Sequence, residues 1–364
     1  MTLLTMGVEE EFYLVDEDGL PVDEAAGTVG DADEDDIDLK PELLRSQVES
    51  GSAICLDHTA LLADLTDLRT RLTDAANGRG ARLMSSGTVV CDTGDQRVAA
   101  GRRYRRIARH VGHFVVDEAT CGTHVHVGVP SRAEAIAVSN HLRPWLPVLL
   151  ALSANSPFHR GSDTGYASSR YLLWGRWPTA GPPPFLSSLD EYESIVSGLI
   201  ESSAALDRGM IYWDIRPSEH QPTVEIRIFD AAGTAAEAAL YGVLVRTLVA
   251  DALDRVASNT PPPNLPHEVL RANLWRAARE GLDGKCADPS TGSHRPVLDI
   301  LDALAPRCVG GEDEVKFVHL MLNTLAKVGG GATRQRSAYA RRKCLTDVVE
   351  MLVSQTLPSA DQLT

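Results

Sequence analysis

No run of about 18 uninterrupted apolar residues occurs in the 364-residue chain, so no segment reads as a membrane span. The opening residues, MTLLTMGVEEEF, carry no basic region and too short an apolar stretch for a secretory signal. A soluble, cytoplasmic protein is expected. Six cysteines (Cys55, Cys91, Cys121, Cys286, Cys308 and Cys344) show no C-x-x-C spacing. That argues against a zinc cluster or disulfide framework and leaves reduced, buried thiols. Cations are scarce: 35 Lys and Arg against 50 Asp and Glu give a net charge of −15, which argues against sequence-independent nucleic-acid binding. There is no P-loop, no G-x-G-x-x-G following a strand and no G-x-S-x-G elbow. A nucleotide must therefore be held through metal ions on carboxylates plus arginines, without a glycine cradle.

What is present begins at residues 7–16, GVEEEFYLVD. Alternate side chains of a strand share a face, so Glu9 and Glu11 point one way while Val8 and Glu10 point the other. Two carboxylates roughly 7 Å apart on one face repel unless a cation lies between them, and hard divalent cations prefer carboxylate oxygens. Residues 121–129, CGTHVHVGV, repeat the pattern with His124 and His126 on one face and Val125 and Val127 on the other. Residues 223–230, TVEIRIFD, do so with Glu225 and Arg227, backed by Val224, Ile226 and Ile228. Any one such strand is ordinarily just half exposed to water. Solvated faces favour Thr, Lys, Ser and Gln, however, and these three carry Glu-Glu, His-His and Glu-Arg. One sheet with an apolar back and a charged, histidine-bearing front accounts for all three.

Further strands are expected at 48–55, 82–90 and 211–216, and helices at 59–76, 131–152, 189–208, 235–257 and 266–281. Ser131 with Glu134 gives the helix at 131–152 a capping-box start, and Pro144 and Pro147 interrupt it. From about Pro296 the chain reads as wholly helical. The order is neither βαβ alternation nor a repeat. An α+β fold is expected, an antiparallel sheet with helices packed on one side, spanning 1–364 as a single domain.

Several segments allow two readings. Glu49, in SQVES, shares a face with Gln47 and Gly51, and is a further ligand or simply a solvent-facing glutamate. Residues 155–170, NSPFHRGSDTGYASSR, line a site or merely connect elements, with Arg170 the charged group of interest. In WDIR, Arg216 is a potential carboxylate-binding arginine. Residues 329–336, GGGATRQR, offer backbone amides and Arg334 or Arg336 to phosphates, or form an ordinary interhelix loop. The acidic run at 31–38, DADEDDID, reads as a solvated loop, and the basic run at 102–109, RRYRRIAR, suits an anionic small substrate. Cys121 reads as a small buried residue, not a nucleophile.

Six motifs in order, GVEEEFYLVD, CGTHVHVGV, LLALSANSPFHRGSDTG, YWDIRPS, TVEIRIFD and NLWRAARE, closely resemble the YbdK-type carboxylate–amine ligases, relatives of glutamate–cysteine ligase type 2. The match runs from about residue 6 to Gln335–Arg336. The family is similar in fold to glutamine synthetase and the guanidino kinases, whose curved antiparallel sheet holds ATP and divalent metals. The resemblance implies that Glu9, Glu11, Glu49, His124 and Glu225 bind Mg²⁺, with Mn²⁺ able to substitute. Arg227 would meet the ATP phosphates as the catalytic cation, and His126 would face the same cavity. SGSAIC stands beside Glu49 where relatives often have a Thr after the glutamate, which puts substrate preference in question.

The implied reaction transfers the ATP γ-phosphoryl group to a carboxylate and lets an amine attack the acyl phosphate. Glutamate with cysteine, giving γ-glutamylcysteine, is the nominal pair, and weak activity on it is expected. Rival readings are a metal-dependent hydrolase built on the HVH pair, an ATP:guanidino phosphotransferase, and a nucleotide- or metal-binding regulatory protein with a degenerate site. Partners are small carboxylate and amine substrates, with no nucleic acid and no membrane; a homodimer is compatible with the sequence, which does not fix the oligomeric state.

Overall fold

A computed structural model describes residues 3–33, 39–91, 96–112, 115 and 120–357. The strands are β1 (Met6–Val15), β2 (Leu39–Pro41), β3 (Gln47–Gly51), β4 (Arg82–Met84), β5 (Gly122–Gly128), β6 (Phe158–His159), β7 (Ser162–Asp163), β8 (Ile215–Pro217), β9 (Thr223–Asp230), β10 (Lys285–Ala287) and β11 (His294–Pro296). The helices are α1 (Ala25–Asp33), α2 (His58–Gly78), α3 (Arg102–Val111), α4 (Arg132–Leu142), α5 (Leu146–Ser153), α6 (Ser169–Trp174) and α7 (Leu189–Glu201). They continue with α8 (Ala235–Ala257), α9 (His267–Glu280), α10 (Val297–Leu304), α11 (Glu312–Val328), α12 (Gly331–Arg342) and α13 (Leu345–Thr356).

Seven strands form one antiparallel sheet in the order β2-β3-β1-β5-β9-β8, with β4 pairing the far end of β1 beside β5. The expected antiparallel sheet is thus present. Its back face, carrying Val8, Val125, Val127, Val224 and Ile226, packs into one core with α8, α4 and α5. Helix α8 is buried from Ala235 to Val249 apart from Ala236, as its run of Ala, Leu and Val requires, and Thr234 with Glu237 closes a capping box at its start. The front face is closed at the β4 end, where Tyr13, Val15 and Met84 meet Ala338, Val348, Val349 and Leu352 of α12 and α13. A separate apolar cluster, including Ile107, Trp177, Tyr192, Val196, Met210 and Trp213, brings α3 and α7 together.

The proline-interrupted helix behaves as expected: Ser131 caps α4, a 3₁₀ turn covers Arg143–Trp145, and α5 resumes at Leu146. The strands at 48–55, 82–90 and 211–216 are shorter than expected, and the helix at 189–208 stops at Glu201. Asp31–Asp33 end α1 instead of lying in a loop; 34–38 fall outside the described residues. The basic run at 102–109 forms α3. Among the described residues no helix is long and apolar enough to cross a membrane.

One buried ion pair ties these layers together. Glu10, the middle glutamate of the triplet, is 1% exposed and points to the helix-covered face, where Arg69 of α2 is 0% exposed. Arg69 donates Nε and Nη2 to the two Glu10 oxygens at 3.0 and 2.6 Å. Its remaining N–H groups reach the carbonyls of Ala232 (2.9 Å), Gly233 (3.3 Å) and Thr356 (2.8 Å). All five guanidinium donors are therefore used, the condition under which a buried charge is tolerable. Arg69→Met leaves the Glu10 carboxylate and the Gly233 and Thr356 carbonyls buried without these donors, while the Ala232 carbonyl keeps the Ser85 hydroxyl. The expected cost is roughly 3–5 kcal/mol in urea denaturation. Adding Glu10→Gln recovers part of that loss, and equal stability of Arg69→Met and wild type would show the pair to be dispensable.

Candidate active site

The sheet register builds the site from cross-strand pairs. Glu11 lies directly opposite Glu49, and Glu49 opposite Lys40 of β2. One row along, Glu9 faces His124; in the next, His126 faces Glu225, which in turn faces Arg216 of β8. Directly opposed side chains on one face sit within about 5.5 Å of one another, so this pairing concentrates charge. A bulge in β9 sets Arg227 and Ile228 against the single residue His124. Alternation alone does not reveal it, and it returns Phe229 to the back, stacked on Tyr241 with ring centroids 4.8 Å apart. These front-facing groups line one cavity of about 490 Å³.

Within it Glu9 lies between the two histidines: His124 Nδ1 is 3.1 Å from one oxygen and His126 Nε2 is 3.6 Å from the other. His126 Nδ1 is fixed by the Thr223 hydroxyl at 3.0 Å. Glu11 accepts the Gly122 backbone N–H at 2.6 Å. Glu225 is clamped by Arg216, at 2.8 and 3.3 Å, and by Arg227. Lys40 is 3.0 Å from Glu49, and Tyr104 donates to Glu42 at 3.3 Å.

Titration behaviour follows from this arrangement. Burial raises the Glu9 carboxyl, but the His124 and His126 imidazoles facing it outweigh that and hold it far below the usual range. Burial likewise opposes ionisation of Glu225, yet Arg227, Arg216 and His126 hold it low. Burial and the Arg227 charge depress His124, keeping it neutral and able to donate a lone pair. His126 goes the other way, because Glu9 and Glu225 outweigh its burial. Glu49 is pushed well up by burial and by the charges of Glu9 and Glu42. Glu42 is pushed up to about 7 by burial and the Glu11 charge.

The cause is an imbalance. Five carboxylates (Glu9, Glu11, Glu42, Glu49, Glu225) face three cationic side chains (Lys40, Arg216, Arg227) in the cavity. Two further charged lining residues are paired at its rim, Arg103 with Asp207 and Glu219 with Arg208. With all five carboxylates ionised the excess is two negative charges, that of one divalent cation; without one, it is relieved by the raised carboxyls of Glu42 and Glu49. Glu9, His124 and Glu225 can present ligand atoms within 4.8 Å of one another. Their mixed oxygen and nitrogen set suits Mg²⁺ or Mn²⁺, and the buried His126 Nε2, which has no hydrogen-bond partner, lies beside it.

Of the residues singled out in the sequence, Glu9, Glu11, Glu49, His124, His126, Arg216, Glu225 and Arg227 line this cavity. Arg334 does not: it pairs with Glu237 at 2.6 and 3.0 Å, at the start of α8. The GGGATRQR segment is mostly the first turns of α12, and its Arg336 pairs with Asp163. Arg170 is buried outside the cavity lining, against Gly122 and over the Trp174 ring, and a Cβ at Gly122 would collide with its guanidinium. Neither arginine can meet a substrate in this conformation. Sequence reasoning missed Lys40, the central residue of a three-residue strand too short to show a period, and Glu42 just after it. It also missed the aromatic wall of Trp174, Trp177 and Tyr212, whose centroids lie 4.9–5.9 Å apart. Those rings come from two segments, 174–177 and the Tyr212 region, that no local pattern joins.

A carboxyl raised in the folded state gives stability that is present below its unfolded pKa and lost as pH rises through the folded value. Glu42 therefore destabilises the metal-free protein progressively from about pH 4.5 to about 7. Glu42→Gln is expected to raise the metal-free thermal midpoint at pH 8 and leave it little changed at pH 4.5. Mg²⁺ titrated at pH 7 should release protons, read by calorimetry in buffers of different ionisation enthalpy. Neither a pH-dependent midpoint difference nor proton release would mean that the carboxylates are not crowded.

The sequence model described as Glutamate-cysteine ligase family 2 (GCS2) matches residues 5–354. A Rhodococcus jostii (strain RHA1) protein named "Putative glutamate--cysteine ligase 2-1" is 46% identical over 359 residues, covering 97% of each chain. A Mycobacterium sp. (strain KMS) protein named "Putative glutamate--cysteine ligase 2-2" is 41% identical, over 97% of this chain and 98% of its own. Among solved structures, glutamate–cysteine ligase from Francisella tularensis in complex with AMP superposes with a TM-score of 0.70 at 12% identity, covering 98% of this chain and 89% of that one. The bifunctional glutathione synthetase of Pasteurella multocida gives 0.72 at 14% identity, covering 97% of this chain and 52% of that one. At such identities the likeness concerns the fold alone. The matched span and the two curated relatives place the chain in glutamate–cysteine ligase family 2.

Proposed function

We propose that this chain is an ATP-dependent carboxylate–amine ligase that forms an amide through an acyl phosphate. L-glutamate and L-cysteine are the nominal substrates, turned over weakly, and Mg²⁺ is the metal. The observation that carries the reading is the cavity's charge pattern: surplus carboxylates at one end, and Arg216 and Arg227 beside them. Family membership supplies the reaction class. Glu9, His124 and Glu225 would hold the cation, with Glu11 and Glu49 close by. When bound, it neutralises phosphate oxygens and polarises the γ-phosphoryl group.

The protein's own groups do the rest by position and charge. A carboxylate oxygen of the first substrate attacks the γ-phosphorus, the β,γ-bridging P–O bond breaks, and ADP leaves. Arg227, kept charged by Glu225 against the cost of burial, stabilises the negative charge shifting across the phosphoryl oxygens. The amine nitrogen then attacks the acyl carbon and expels phosphate, giving the amide. Its surplus proton passes to a wall carboxylate or to water. The apolar and aromatic wall of Leu43, Ile107, Trp174, Trp177 and Tyr212 suits a flat base. Glu9 and Arg227 come from opposite ends of the sheet-forming sequence, so 1–364 is proposed to act as one catalytic unit in the cytoplasm.

Phosphate release from ATP and Mg²⁺ is expected to require both glutamate and an amine, with the matching amide mass in the product. Arg227→Ala is expected to lower kcat roughly 10²–10³-fold, the usual loss for one electrostatic donor at a reacting phosphoryl or oxyanion centre. ATP turnover without any amide would point to phosphotransfer instead. No ATP turnover by folded, metal-loaded protein would overturn the ligase reading.

A further inference from the structure

A second cavity of about 410 Å³ lies beside the first and shares Trp174 with it. Its composition is the reverse of its neighbour's. Among the described residues no Asp or Glu lines it, although the chain carries a net charge of −15. Its charged and titratable groups are Arg176, Arg271 and His267, and its walls are Tyr171, Trp174 and Trp275.

The cationic groups are not spoken for. Among the described residues, neither Arg176 nor Arg271 makes an ion pair or a side-chain hydrogen bond, whereas Arg79, Arg103, Arg132, Arg208 and Arg336 at the surface all do. The polar tips of two of the aromatic walls, by contrast, are already hydrogen-bonded to groups outside the cavity lining. The Tyr171 hydroxyl donates to the buried Asp214 at 3.2 Å, and Trp275 Nε1 donates to the Tyr166 hydroxyl at 3.1 Å. Trp174 is wedged between Tyr212, 4.9 Å away, and the Arg170 guanidinium. The cavity therefore offers ring surface and unpaired guanidinium charge. Arginine with aromatic surface is the combination that selects a carboxylate or similar anion on a flat apolar body. His267 opens α9, whose first N–H groups have no side-chain cap, so the helix dipole adds to the preference for negative charge.

We propose that this cavity is a binding site for a small monoanion with an aromatic or flat apolar body, an aryl carboxylate in class. Arg176 and Arg271 hold the anion, and Tyr171 and Trp275 take the ring, with Trp174 as the wall shared with the first cavity. The site is separate from the phosphoryl-transfer cavity and does not depend on the ligase reading.

The test titrates the full chain with phenylacetate, its neutral isostere phenylacetamide and the cation phenethylamine, by calorimetry and tryptophan fluorescence, with and without saturating ATP and Mg²⁺. Phenylacetate should bind at least tenfold tighter than phenylacetamide, and phenethylamine more weakly still. The double variant Arg176→Gln, Arg271→Gln, two exposed positions, should weaken phenylacetate about tenfold and leave phenylacetamide binding and the thermal midpoint unchanged. Equal affinity for the acid and the amide would overturn the proposal. So would an unaffected double variant, or displacement of phenylacetate by ATP, which would put the probe in the first cavity.

Discussion

The proposed cation site depends on which way the first strand faces, and that is fixed by Glu10 and Arg69. A one-residue slip in a strand exchanges its two faces. Val8, Phe12 and Leu14 already favour one register through burial. Three glutamates in succession nonetheless weaken that preference at the centre of the strand, since either face must then accept at least one. Arg69 removes the ambiguity by supplying a fully hydrogen-bonded partner at one place only. It also gathers the 232–233 turn and the end of α13 onto the same guanidinium, linking the back layer to the element that closes part of the front. With Glu10 held behind the sheet, Glu9 and Glu11 are delivered to the front.

The front face then carries more negative charge than its own cations balance. Crowding of this kind is unfavourable in a folded protein without ligand, and it is retained where a bound cation relieves it. Glu225 shows how finely the charges are distributed: it is shared between two arginines while lying opposite His126. The same side chain thus joins the carboxylate-rich end of the cavity to its two arginines, the neighbourhood that the proposed phosphoryl transfer requires. The second cavity continues the pattern across Trp174, with charge of the opposite sign.

Much of the site was legible because period-two alternation is a local rule. It put Glu9, Glu11, His124, His126, Glu225 and Arg227 on one face, and the register confirms that they share a cavity. Glu49 carried no local signal to separate a ligand from a solvated glutamate; only its place opposite Glu11 distinguishes them. What failed was inference from composition about isolated arginines. A guanidinium near glycines or in a polar loop looks available, yet Arg334 is consumed by Glu237 and Arg170 is buried behind the site. Pairing of that sort is set by tertiary contacts, as are the β9 bulge and the aromatic wall. The helices α1 and α3 were missed for a related reason: their sequences are dominated by charge or by Gly and Ala, and α3 buries only Ile107 on its inner face.

The most direct measurement is anomalous diffraction from crystals soaked in Mn²⁺. A peak is expected among Glu9, His124 and Glu225, with Glu11 and Glu49 close by. A fully occupied peak elsewhere, or none at Mn²⁺ concentrations that support turnover, would contradict the claim that the face fixed by Glu10 and Arg69 is a divalent-cation site.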